Sequence, residues 1–364
     1  MCYGGYHAHL RNLEGRLQEL EKQDQVPTYH PITPNARPDI QGGMDLILEA
    51  DFTYLTPRLN ALTYAQTGRG DLADGVSVSK GNVYAVDWRW DPGFKTALGW
   101  NIDHGGWDVI LRYTWLYSKA TGGVRASHLL PTFDILPPDL SFLVFKSIDF
   151  AHANWYFHNQ VGDLELGRNY YVHRFLKLRP FIGFKGMWQT QQYHVFYDSI
   201  QGEFSFNNVS GTFSFGLQSR DRQMVWGIGT RMGLDTSWQF NDYVALYGDF
   251  ALTGMWTHYH VDRTDTFVLV DDVLVVADLN LQLDKDIEFV NLQADPHFIQ
   301  PIIELGIGLR LESGFGSRGM HMLFQVGWES QIWINQALYI STDNHFDRFD
   351  LDIYGLVVRL RFDF

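Results

Sequence analysis

With 364 residues and a net charge of −14, the chain can hold one large β domain or two ordinary ones. It is too acidic for a general nucleic-acid binder. No stretch supplies the ~18 uninterrupted apolar residues of a membrane-crossing helix, because the greasiest run, FVLVDDVLVV, is broken by Asp271 and Asp272.

The chain opens on MCYGGYHAHL, which lacks the apolar core of a secretory signal. Either it is soluble or it is a mature form whose signal is gone. Cys2 is the single cysteine, so no intrachain disulfide can form. A loose thiol and an intermolecular bond are its two readings. Within residues 1–25, Leu10, Leu13, Leu17 and Leu20 are spaced three, four and three apart among charged neighbours. That is an a/d seam for a short periplasmic helix that brings protomers together; a helix so short is marginal alone, and packing on its own barrel is the other outcome. Residues 26–43 carry a proline-rich stretch, PTYHPITPNARPD, that reads as an extended linker.

Residues 44–364 follow a period of two. In 107–117, Trp107, Val109, Leu111, Tyr113, Trp115 and Tyr117 share one face, while Asp108, Ile110, Arg112 and Thr114 share the other. The same alternation gives strands over 44–56, 84–103, 106–119, 148–167, 173–192, 222–240, 243–260, 296–312, 319–335 and 350–364. These are long enough to cross a bilayer, which takes about 9–11 tilted residues. Aromatics gather at the ends of the apolar faces, as in interfacial girdles, and glycine and charge fill the opposite faces. Short gaps (103–105, 168–172, 241–242, 313–318) alternate with long ones (57–83, 120–147, 193–221, 261–295, 336–349). The expected fold is an all-β, antiparallel transmembrane barrel of about ten strands in the outer membrane, with tight periplasmic turns and long external loops. Two strand-like loop segments, 205–217 and 266–276, leave twelve strands as the alternative. The apolar loop 129–145 is expected as a lid, an inter-protomer contact or a lipid-surface segment. The final strand must close on the first.

The stretches HPITPNARPDIQGGMDLILEADFTYL, WDPGFKTALGWNIDHGGWDVILRYTWLYS, VGDLELGRNYYV with LKLRPFIGFKG, and GIGTRMGLDTSWQF with YVALYGDFALTG resemble the pore-forming major outer membrane proteins of Legionella and chlamydia-like bacteria. The resemblance covers nearly everything after residue 30 and rests on framework motifs. It implies a porin-like function, passive diffusion of small hydrophilic solutes or ions. Chlamydial members are cysteine-rich and cross-linked in the envelope; this chain departs from that pattern in having only Cys2, which puts that role in doubt. The terminal Phe362 and Phe364 look like the signal read by the barrel-assembly machinery.

Strand phase turns Glu49, Asp51, Lys95, Asp108, Arg112, Lys177, Arg179, Lys185, Arg231, Asp235, Asp249, Glu304, Arg310, Glu329, Arg359 and Arg361 inward as candidate pore-lining residues. Both signs are present. They make either a polar conduit with an electrostatic constriction or a lumen plugged by ion pairs. The segment 261–295 is strongly acidic and would favour cations at the mouth. His258, His260 and Asp262 alternate at the top of one strand, but their phase is outward, away from a lumen. Neither a phosphate loop nor a nucleophile elbow is present, so no enzyme, metal or cofactor is expected. The partners expected are outer-membrane lipid, small solutes, the assembly machinery and further copies of the chain. A plugged structural or adhesive barrel acting through its external loops is the alternative function, and a rim enzyme a more remote one.

Overall fold

The computed structural model describes residues 35–36, 45–59, 62–67, 69–71, 77–79, 81–102, 105–132, 143–206, 209–268, 287–315, 320–342 and 345–364. Ten strands form a closed antiparallel ring: β1 Leu46–Leu59, β2 Asp91–Asn101, β3 Trp107–Pro131, β4 Leu143–Arg168, β5 Leu176–Phe206, β6 Val209–Gln239, β7 Val244–Val268, β8 His297–Phe315, β9 Met320–Ile340 and β10 Phe346–Asp363. Each pairs with its neighbours in sequence. β10 closes on β1 in the register Asp51↔Arg359, and Leu46 and Phe364 exchange backbone hydrogen bonds at the seam. Closure leaves no strand edge in lipid.

The count is ten and not twelve. Segment 205–217 is the tip of the β5–β6 hairpin, paired down to Phe206↔Val209. Residues 266–268 extend β7, and the rest of 266–276 lies outside the described residues. The 1–25 helix with Leu10, Leu13, Leu17 and Leu20 also lies outside them. Of the linker, Asn35 and Ala36 are described; they bridge to Tyr170 and Asn169 at the β4–β5 turn.

Several strands run well past the boundaries expected from the sequence. β5 and β6 each have 31 residues, and much of 120–147 and 193–221 is strand, not loop. The reason is an inversion of pattern along one continuous pleat. Below Trp188, β5 turns Ile182 and Phe184 outward, 58% and 55% exposed, and buries Arg179 and Lys185 inside. Such exposed apolar bands fit lipid. Above Trp188, β5 turns Gln192 and His194 outward and buries Tyr193, Val195 and Tyr197 inside, each at most 1% exposed. β3, β4, β6 and β7 invert at the same level. The lower barrel is inside-out, as lipid requires; the upper barrel is apolar inside, as water requires.

The first external connection extends the upper wall. Strand Thr63–Thr67 pairs with Leu129–Pro131 of β3 and with Val83–Ala85. Tyr64 packs so closely on Gly122 that a Cβ there would lie 3.0 Å from its ring. Leu129 is fully buried in the same core. The apolar start of segment 129–145 therefore turns inward to help seal the barrel; residues 133–142 lie outside the described residues.

Candidate functional site

The candidate site is the barrel interior, built in three layers. The lowest is ionic. Glu165 on β4 accepts from guanidinium groups on three strands: Arg112 at 3.4 Å, Arg179 at 3.0 Å, and Arg231. Arg179 also holds Asp108 at 2.6 Å and Asp235 at 2.8 Å, and Arg112 holds Glu49 at 2.9 Å. Lys185 bridges Asp163 at 2.8 Å and Glu304 at 2.9 Å, and Arg231 reaches Glu304 at 2.8 Å. Arg359 pairs with Asp51 at 2.9 Å, Arg361 with Asp363 at 2.7 Å, Lys177 with Glu312 at 2.9 Å, and Lys95 with Glu329. Arg310 stands 3.7 Å from Glu312. Charges so deeply withdrawn from water persist only when paired.

All sixteen residues expected to point inward are on this inner wall. Asp249 makes no ion pair among the described residues; it lines a polar cavity with Lys95, Arg231 and Arg359. A second polar cavity lies beside Arg179, Arg310 and Arg361. Asp163, Glu165, Glu312, His321 and Asp363 complete the layer but were not singled out from the sequence. Their signal was available: Glu165 shares the inward phase of its strand with Asp163, and Glu312 that of Glu304 and Arg310. Inner-face glycines admit the large groups. A Cβ on Gly167 would lie 2.6 Å from the Arg179 guanidinium, and one on Gly327 2.0 Å from the Tyr247 hydroxyl.

Above the charges lies an amide layer. Gln189 donates to Asn159 at 2.8 Å, Gln223 to the Gln336 carbonyl at 3.1 Å, and Leu338 N to Gln223 at 2.6 Å; Gln336 also bonds Gln189. Gln336 reaches across because β9 carries a bulge between Trp333 and Ala337, with Asn335 at φ 55°. The third layer is an apolar core, with Leu55, Trp155, Phe157, Tyr193, Leu217, Tyr259, Trp333 and Leu351 from strands around the ring in one cluster. Trp155 stacks on Phe157 at 5.3 Å, and Tyr193 meets Tyr339 edge-on at 6.1 Å.

One ionisable group in the upper layer is out of balance. Asp221 is buried, and among the described residues neither carboxylate oxygen has a hydrogen-bond donor; Ser219 and Arg263 both bond Asp265 instead. Burial foremost, with the charge of Asp265, pushes the Asp221 carboxyl up to about 8 against the pull of Arg263 and of the nearby Ser219 hydroxyl.

His258 and His260 lie on the outer wall. His258 contacts His297 at 3.0 Å, and His260 contacts Asp295 at 2.6 Å and Asp262 at 3.5 Å. No group of three or more His, Cys, Asp or Glu placed to hold a metal occurs among the described residues. At the barrel seam the Phe362 and Phe364 rings sit 6.2 Å apart.

The family described as Legionella pneumophila major outer membrane protein precursor matches residues 37–364. No curated protein matches the sequence. Among solved structures, the outer membrane protease OmpT of Escherichia coli is 11% identical, with 89% of this chain and 98% of that chain covered at a TM-score of 0.35. A FadL homologue of Pseudomonas aeruginosa is 8% identical, with 87% and 89% covered at 0.22. The toluene transporter TodX of Pseudomonas putida is 9% identical, with 89% and 90% covered at 0.25.

Proposed function

The chain belongs to the Legionella major outer membrane protein family and is an outer-membrane β-barrel in contact with lipid, and on that premise we propose that it is a closed, non-enzymatic barrel. In this reading it serves the envelope through its external surface, not as an open diffusion pore. The observation that carries the proposal is the apolar core joining all sides of the upper lumen. Emptying it would expose many side chains worth about 1.5–3 kcal/mol each. Phe362 and Phe364 serve in this proposal as the signal for assembly, and the 1–25 segment with its leucine seam as the link between copies.

A second reading, a porin for small solutes, is favoured by family membership and by the two polar cavities of the ionic layer. It requires the upper plug to move. Planar-bilayer recording separates the two. Refolded protein, shown to be a barrel by its heat-modifiable gel mobility, is expected to insert without stepwise current. Discrete openings with cation preference would overturn the closed-barrel proposal and support the porin.

A further inference from the structure

The outer wall just above the aromatic girdle differs sharply from one side of the barrel to the other. On β3–β6, strand phase turns Lys119, Arg125, Arg220 and Arg222 into solvent, and all four are exposed. His152, His158 and His194 are interleaved with them on the same face. Cross-strand register aligns two rows: Lys119–Tyr156–Gln192–Arg222, and above it Thr121–Asn154–His194–Arg220. Among the described residues, the side-chain contacts of these cations are neutral. Arg220 donates to Gln218 at 3.0 Å and Arg222 to the Met224 sulfur at 3.4 Å, while Lys119 lies over the Tyr156 ring and Arg125 over the Phe150 ring. No described carboxylate comes within ion-pair distance of any of the four. Among the described residues, the acidic groups nearby are Asp91, which accepts from the Lys119 backbone N–H at 3.4 Å, Asp87 beside Thr121, Asp149 and Asp198 at the upper edge, and Asp262 across from Arg222 on β7.

In a chain of net charge −14, an uncompensated cationic face of this size has a reason to be located where it is. Directly below it on the same strands, Trp115, Tyr117, Trp188 and Trp226 mark the lipid boundary. Arg220 and Arg222 lie two residues apart, about 7 Å, and Lys119 is three strands from Arg222, about 14 Å. A phosphate between the two arginines and His194, and another near Lys119, both fall at headgroup depth. We propose that this face is a docking surface for the phosphorylated headgroup of an outer-leaflet glycolipid, its phosphates held by Arg220 and Arg222 on one side and Lys119 on the other. The pairing is charge-assisted hydrogen bonding at the edge of a low-dielectric layer, where arginine suits phosphate geometry.

The test uses the full chain folded in zwitterionic detergent and titrated with diphosphoryl lipid A, its dephosphorylated counterpart, or inorganic phosphate, with tryptophan fluorescence as the readout. The expected result is saturable binding of the diphosphoryl form alone. The triple variant Lys119→Gln, Arg220→Gln, Arg222→Gln should weaken it roughly a hundredfold, from about fivefold per cation. The charge-keeping variant Arg220→Lys, Arg222→Lys should retain most of it, and single Gln variants should each show a partial loss even if the triple variant folds poorly. Equal binding of the dephosphorylated lipid, equal occupancy by inorganic phosphate, or undiminished binding by the folded Gln variants would each overturn the proposal. So would self-association of the chain, lost in the triple variant, with no response to the lipid.

Discussion

The lower and upper halves of the lumen share the same strands yet are held by opposite chemistry. Below the girdle, Glu165 ties together Arg112, Arg179 and Arg231 from three strands. Above it, Trp155, Tyr193 and Trp333 belong to one apolar cluster, with the buried Arg263–Asp265 pair and Asp221 set into the same upper level. What differs is the solvent outside. Where lipid surrounds the wall, apolar side chains leave the barrel and polar ones must be satisfied within it; where water surrounds it, burial drives the apolar side chains inward. A single pleat serves both, so the inversion needs no change in backbone.

The sharpest way to break this comparison is to truncate each half at its centre. Glu165→Ala leaves three guanidinium groups short of a buried partner and should cost about 3–5 kcal/mol. Trp155→Ala should cost a similar amount, about 3–5 kcal/mol, by opening a cavity. The two should respond differently to a second change. Glu165→Gln, which keeps shape but not charge, should recover little of the loss, whereas Trp155→Phe should recover much of its own. Urea unfolding in lipid vesicles measures both, and equal recovery in the two halves would remove the distinction between them.

A pH-dependent effect concerns Asp221, an acid of the upper half with no donor among the described residues. Asp221 is held at about 8 in the folded chain, chiefly by burial, against about 3.9 unfolded. Below the unfolded value both states are protonated and nothing is lost. As pH rises toward 8, the unfolded chain releases a proton that the folded chain keeps, so stability falls by at most about 1.4 kcal/mol per pH unit. Asp221→Asn should remove that slope between about pH 4 and pH 8 and leave the variant relatively more stable at alkaline pH. A variant with the slope of the parent would show that Asp221 is not the group responsible.

The ring of ten was legible because, within the lipid, the period of two is strict and the short and long gaps alternate. The ionic wall was legible for the same reason: Lys95, Arg179 and Glu304 share the phase opposite the greasy residues. Three things were not. Strand phase says which way Lys185 points but not that it meets Glu304 from β8, because partners across a lumen depend on the curvature of the ring. The upper ends of β3, β5 and β6 were lost because their pattern inverts: Tyr193, His194, Val195 and Tyr197 on β5 look like a loop to a reading tuned to lipid-facing strands. The bulge that carries Gln336 into the amide layer had no local signature, since Asn335 is an ordinary residue until its positive φ is seen.

The inversion at the girdle is the central claim, and thiol accessibility along β5 tests it most directly. In a Cys2→Ser background, single cysteines at 182, 184 and 192–197 would be challenged with a membrane-impermeant maleimide in reconstituted vesicles. The account predicts labelling at 192, 194 and 196, with protection at 193, 195 and 197 by the core and at 182 and 184 by lipid. Labelling at 193, 195 and 197 as fast as at their neighbours would mean that water fills the upper barrel, and the closed-lumen account would fail.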